Sequence, residues 1–119
     1  MSVYHLKLNV IAATNLVTDI PGVNVMDAYV SFKTMRTSKM KTRTYLKSVN
    51  PFWCEEFDVD VEDGEDIEFH IKNAKSLKST IGVAVYHFTE MVVGDVQRAK
   101  LPIQEGGELT IKMTCTGID

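Results

Sequence analysis

Apolar and polar residues alternate with a period of two along most of the chain, as they do in strands with one face buried and one face in water. Leu6, Leu8, Val10 and Ala12 alternate with Lys7 and Asn9, and Ala28, Val30 and Phe32 repeat the pattern. Met40 to Leu46 predicts a third strand, on which Lys39, Lys41 and Arg43 stand two residues apart and so share a face. Phe57 to Val61 predicts a fourth. Ile67, Phe69 and Ile71 predict a fifth, and Ile81, Val83 and Val85 a sixth. A weaker seventh runs from Val96 to Leu101, and Leu109 to Met113 gives an eighth. Turn-forming pairs fall between the runs: Pro21-Gly22, Asn50-Pro51, Asp63-Gly64 and Gly106-Gly107. The one helical candidate, Phe88 to Val93, is short. The pattern predicts an all-β fold, an eight-stranded antiparallel β-sandwich forming one domain over residues 1–119.

Composition fits that reading. The 119 residues are 45% hydrophobic and 24% charged, a globular balance in one domain's length. No stretch approaches the roughly 18 apolar residues of a membrane span. The opening Met1-Ser2-Val3-Tyr4-His5 lacks the parts of an export signal, so a cytoplasmic location is expected. A net charge of −3 argues against nucleic acid as a partner.

That total conceals a segregation. Between Ala28 and Cys54 there are six basic residues and no acid; between Glu55 and Glu68 there are nine acids and no base. Lys72, Lys75 and Lys78 follow, with no acid until Glu90. Cys54 and Cys115 form no metal-binding spacing and read as reduced thiols, with a disulfide open only if their strands are adjacent. His5, His70 and His87 show no ligand spacing, and no nucleophile elbow, phosphate loop or paired catalytic carboxylates occur. No enzyme is expected.

Several segments together resemble the C2 domain family. Leu6-Lys7-Leu8-Asn9-Val10 through Leu16 is similar to the family's opening strand, and Met26-Asp27-Ala28-Tyr29-Val30 to the segment closing its first loop. Lys41-Thr42-Arg43-Thr44 followed by Asn50-Pro51-Phe52-Trp53-Cys54-Glu55-Glu56-Phe57 resembles its most specific motif, with Cys54 where the family carries Asn. The order of segments resembles the type II, phospholipase-like permutation.

The resemblance implies five acidic calcium ligands, two in the first loop and three in the third. Asp19 and Asp27 match the first pair. The other three positions fall at Asn73, Lys75 and about Ser79, and no carboxylate lies between Phe69 and Thr89. Calcium takes six to eight oxygens, and a nearby ammonium opposes it. No cofactor is therefore expected, with calcium binding lost or weak. In its place, Lys75 or Lys78 is expected to bridge Asp19 and Asp27 as a metal would. The alternative is that these lysines are solvated and Asp19 only turns the chain.

The resemblance also places a head-group site on the basic strand: Lys39, Lys41 and Arg43, with Tyr29 and Trp53 as flanking aromatics. A row of cations suits a phosphorylated inositol, and Arg43 adds bidentate contacts to phosphate. Two other roles stay open: charge protecting an edge strand, and core packing, the commoner fate of a sandwich tryptophan. Ile20, Val23, Val25 and Leu77 form an apolar loop set that would either enter a bilayer interface or close the end of the sandwich. The function expected is a calcium-independent, peripheral membrane module for anionic phospholipids or phosphoinositides. The alternative is a protein-interaction module taking acidic or phosphorylated segments in the same groove.

Overall fold

The computed structural model describes residues 2–76 and 80–119. Nine strands run in the order β1 (Val3–Thr14), β2 (Met26–Phe32), β3 (Met40–Lys41), β4 (Tyr45–Ser48), β5 (Phe52–Glu62), β6 (Asp66–Asn73), β7 (Gly82–His87), β8 (Val96–Pro102) and β9 (Glu108–Ile118). They form two antiparallel sheets. One has the order β5-β1-β9-β8; in the other, β3-β2-β6-β7, β4 also pairs with β2.

The alternation places the core as expected. Leu6, Leu8 and Val10 of β1, with Ile111 and Met113 of the adjacent β9, face Val30 and Phe32 of β2 and Phe69 and Ile71 of β6 across the interior, all essentially sealed from water. Edge-to-face rings join the layers, Phe32 to Phe57 at 5.2 Å and Tyr4 to Phe88 at 5.0 Å between centroids.

Two expectations fail locally. No helix forms at Phe88 to Val93; Phe88 and Met91 enter the core, and residues 92–95 make a tight turn. The single third strand is two short strands, because Thr42 turns inward between them. Its N–H donates to the Val30 carbonyl at 2.9 Å while its hydroxyl accepts the Val30 N–H at 3.0 Å. Thr42 thus takes both ladder groups of Val30 and ends the regular alternation. A Cys54–Cys115 disulfide is also excluded, since β5 and β9 lie on opposite edges of β1, with Cys54 exposed and Cys115 buried.

Loops gather at the two ends. At one end, the Leu16 N–H meets the Val49 carbonyl at 3.0 Å and the Ala74 N–H meets the Asp27 carbonyl at 2.8 Å, drawing together the connections after β1, β4 and β6. At the other, the buried Glu65 carboxylate accepts the N–H groups of Met35 and Glu62.

Cys54 sits at the irregularity between β5 and β1 with a φ of 46°, in the left-handed region. Such a conformation burdens residues with an ordinary side chain and is tolerated by Asn. Cys54→Asn is expected to raise stability by about 0.5–1 kcal/mol, measured by urea unfolding at unchanged m.

His5 ties β1 to β5 and to the chain end, with Nδ1 2.6 Å from Asp60 and Nε2 2.8 Å from Asp119. These carboxylates raise its pKa above the ordinary histidine value. A raised folded-state pKa stabilises fully below the unfolded value of about 6.5, and the benefit fades as pH rises through the folded one. Compared with wild type, His5→Gln should therefore lose stability at pH 6 and lose progressively less toward pH 8, as read by Tm across that range.

Candidate functional site

The outward face of the β3-β2-β6-β7 sheet collects the cations. Register sets Ser31 opposite both Lys41 and His70, and Tyr29 opposite Lys72; residues so paired share a face. Tyr29, Ser31, Lys39, Met40, Lys41 and Lys72 line a recess of about 340 Å³. The Lys41 ammonium stands 5.9 Å from the centre of the Tyr29 ring, a cation–π distance. No carboxylate among the described residues lies within 4.0 Å of the ammonium groups of Lys39, Lys41 or Lys72. Through Ser31, Lys39 and Lys72 the recess continues into a larger groove of about 650 Å³, bounded at its far end by Glu65, Asp66 and Glu68.

Two residues expected in this cluster are elsewhere. Arg43 follows the break at Thr42 and is directed to β5: its guanidinium donates to the Trp53 carbonyl at 2.6 Å and its N–H to Glu55 at 2.9 Å. Trp53 is wholly buried, its indole N–H donating to the Ala28 carbonyl at 3.1 Å. It packs the core and has no surface to offer a head group. Lys72 takes the place that Arg43 was expected to fill. Only the pairing of β6 with β2 brings it there, although its position between Ile71 and Asn73, both buried on an alternating strand, marks it as outward-facing.

At the loop end, Asn73 organises the residues of the implied calcium site. Its side-chain oxygen accepts the N–H groups of Asp27 and Lys75 at 3.2 and 3.1 Å, and its amide donates to Asp19 at 3.4 Å. Asp19 also accepts the Ser76 hydroxyl. Asp27, nearly buried, accepts the Lys47 N–H at 2.9 Å, and its second oxygen lies 3.9 Å from the Lys75 ammonium. Lys75 is thus within ion-pair reach of Asp27, while Lys78 lies outside the described residues. No group of three or more histidine, cysteine or carboxylate side chains able to hold a metal occurs among the described residues. Two carboxylates already occupied by N–H, O–H and ammonium donors do not fit a cation needing six to eight oxygens.

The apolar loop set is split. Val23 and Val25 are exposed, Ile20 is half-buried, and Leu77 lies outside the described residues. Ile20-Pro21-Gly22-Val23 closes as a turn, the Val23 N–H meeting the Ile20 carbonyl at 3.1 Å with Gly22 at φ 78°. Pro then Gly at its centre is type II turn chemistry, which holds Val23 outward.

A model of the C2 domain matches residues 4–103. The chain belongs to the C2 domain family. Members of this family act as membrane- or lipid-targeting or protein-interaction modules and are non-catalytic in most contexts. Among solved structures, the first C2 domain of plant extended synaptotagmin 1 is similar with a TM-score of 0.82 at 22% identity, covering 98% of this chain and 96% of that one. Human GIVD cytosolic phospholipase A2 is similar with a TM-score of 0.81 at 23% identity, covering 98% of this chain but 18% of the enzyme. In sequence, the chain is 40% identical over 57 residues to a probable Ras GTPase-activating-like protein, ngap, of Dictyostelium discoideum. That match takes in 43% of this chain and 6% of that protein. The solved structures speak to the fold alone.

The Asn73 network gives a direct test at the loop end. Asn73→Ala strands the buried Asp27 N–H and frees the part-buried Lys75 N–H, and should cost about 1–3 kcal/mol. Lys75 is 70% exposed, so Lys75→Ala should cost less than about 1 kcal/mol. Chemical denaturation of the two variants decides whether the amide or the ammonium holds the loops.

Proposed function

We propose that this C2 domain is a peripheral module for anionic phospholipid membranes, phosphoinositides included, working without calcium. The observation that carries this reading is the recess on the outer sheet face, where Lys39, Lys41 and Lys72 converge beside Tyr29 with no carboxylate among the described residues within 4.0 Å of their ammonium groups. Phosphate oxygens supply the charge that the protein withholds there. Each cation near an anionic surface contributes about 1 kcal/mol, so three give a useful but reversible attachment. Val23 and Val25, presented by the turn after β1, are suited to enter the interface beside it.

Calcium independence is supported by the loop chemistry: the oxygens of Asp19 and Asp27 are engaged by protein donors, and Lys75 stands where a ligand carboxylate would be needed. A location at the cytoplasmic side of a membrane and a single domain over 1–119 belong to the same reading. No helix among the described residues is long and apolar enough to cross a membrane, so attachment is peripheral in this account. The position of the last strand, β9, between β1 and β8 supports the type II arrangement.

Vesicle sedimentation tests the proposal. Wild type should pellet with phosphatidylserine or phosphoinositide vesicles equally in calcium and in EGTA. Lys39→Ala, Lys41→Ala and Lys72→Ala combined should weaken binding roughly 100-fold, with Arg43→Ala affecting stability more than binding. Equal binding by the triple variant, or dependence on calcium, counts against it. Capture of a soluble phosphorylated peptide by the same lysines, with no pelleting, would instead favour the protein-interaction reading.

A further inference from the structure

A second set of cations lies on the other side of the sandwich. Along the edge strand β8, Val96, Arg98 and Lys100 alternate with Gln97, Ala99 and Leu101 and so face outward together. Register sets Arg98 directly opposite Lys112 of β9. Like charges facing each other across neighbouring strands are destabilising, and no carboxylate among the described residues lies within 4.0 Å of Arg98, Lys100 or Lys112 to relieve them. Most acids of this sheet face, Glu56, Asp58, Asp60 and Glu62, are on β5 at its opposite margin; Glu108, at the start of β9, stands opposite Pro102 and pairs with none of the three cations.

The turn leading into β8 adds an apolar tip. Val92 and Val93 are 69% and 56% exposed, and Val96 is 55% exposed. The turn is fixed: the Asp95 N–H meets the Val92 carbonyl at 2.9 Å, the Asp95 carboxylate accepts the Val92 N–H, and the Gly94 N–H bonds the Cys115 carbonyl of β9 at 2.8 Å. Gly94, at φ 94°, and Asp95 satisfy its chemistry. Neither turn geometry nor the core calls for valine at 92 and 93, since loop positions of this kind favour polar residues or proline. Of the two acids near the tip, Asp95 is bent back onto the turn and Glu90 is exposed at its start.

We propose that the turn before β8 and the outward edge of β8 form a second contact surface for an anionic lipid bilayer, separate from the lysine cluster around Tyr29. Val92 and Val93 enter the interface, and Arg98, Lys100 and Lys112 meet lipid phosphates. The cations select an anionic partner. The valines, carried on a protruding turn rather than in a recess, select a bilayer over a soluble anion. Because the two cationic surfaces belong to opposite sheets, one molecule can hold two bilayers; only this bridging rests on the function proposed above.

The test uses the 119-residue chain carrying Val93→Trp, with phosphatidylcholine vesicles containing phosphatidylserine. Trp53 is sealed in the core, so wild type supplies an unresponsive background. Vesicles should shift the emission of the introduced tryptophan to the blue, and lipids brominated in their chains should quench it. Adding Arg98→Gln, Lys100→Gln and Lys112→Gln should lower this binding roughly 10- to 100-fold, and a circular-dichroism melt checks the fold of each variant. Pelleting without quenching overturns the second surface and leaves the first one standing. Quenching that survives Lys39→Ala, Lys41→Ala and Lys72→Ala, with pelleting undiminished, sinks the first reading and supports this one. Protein that stays in the supernatant overturns both. Vesicle clustering by light scattering, lost when either surface is neutralised, is the expected sign of bridging.

Discussion

The inward turn of Thr42 determines what the cationic face of the β3-β2-β6-β7 sheet contains. One residue takes both the N–H and the carbonyl of Val30, with its own hydroxyl and its N–H. The strand facing β2 must therefore stop after Lys41 and start again at Tyr45. Had alternation continued, Arg43 would have stood beside Lys41. Instead its guanidinium crosses to the Trp53 carbonyl and fastens the broken edge to β5. Trp53 in turn closes the core against Ala28 of β2, so the hydrogen bonds around Thr42, Arg43 and Trp53 bind β2, β5 and the broken edge together. Among the described residues, the side chains of Lys39, Lys41 and Lys72 on the outer face make no backbone hydrogen bond of this kind.

The difference between Arg43 and its neighbouring lysines is chemical as well as positional. A guanidinium has several fixed donors and satisfies backbone carbonyls well. An ammonium on a flexible stem is easily kept hydrated and then exchanged onto phosphate. Lys39, Lys41 and Lys72 thus suit a reversible contact, while Arg43 suits a permanent one.

Strand alternation is legible along the chain because burial on one face enforces a period of two, and β1, β5, β6 and β9 obey it over most of their length. The resemblance to C2 domains holds for the same reason: its motif residues, Trp53 among them, are those the core needs. The break at Thr42 is not legible, since a threonine in an alternating run gives no local sign that its hydroxyl will replace a ladder partner. Lys72 escapes a reading of the sequence because its membership of the cluster depends on pairing across 43 residues, Tyr29 with Lys72. The valines at 92 and 93 fall in a run that reads as helix because short apolar stretches carry no reliable period, and only Gly94 and Asp95 mark the turn.

At the loop end, an amide stands among the residues to which the C2 resemblance assigns a metal. A metal draws loops together by attracting carboxylates that otherwise repel. Here an amide does part of that work by accepting two N–H groups and donating to Asp19, so the loops after β1 and β6 stay joined without a bound cation. The 3.9 Å separation of Lys75 and Asp27 adds weak attraction at an exposed side chain. An amide is neutral at every physiological pH and leaves nothing to dissociate. Under the proposed function, loops held in this way do not couple membrane attachment to an ion concentration. On the same proposal, control of attachment acts on the phosphate content of the surface or on the cations facing it.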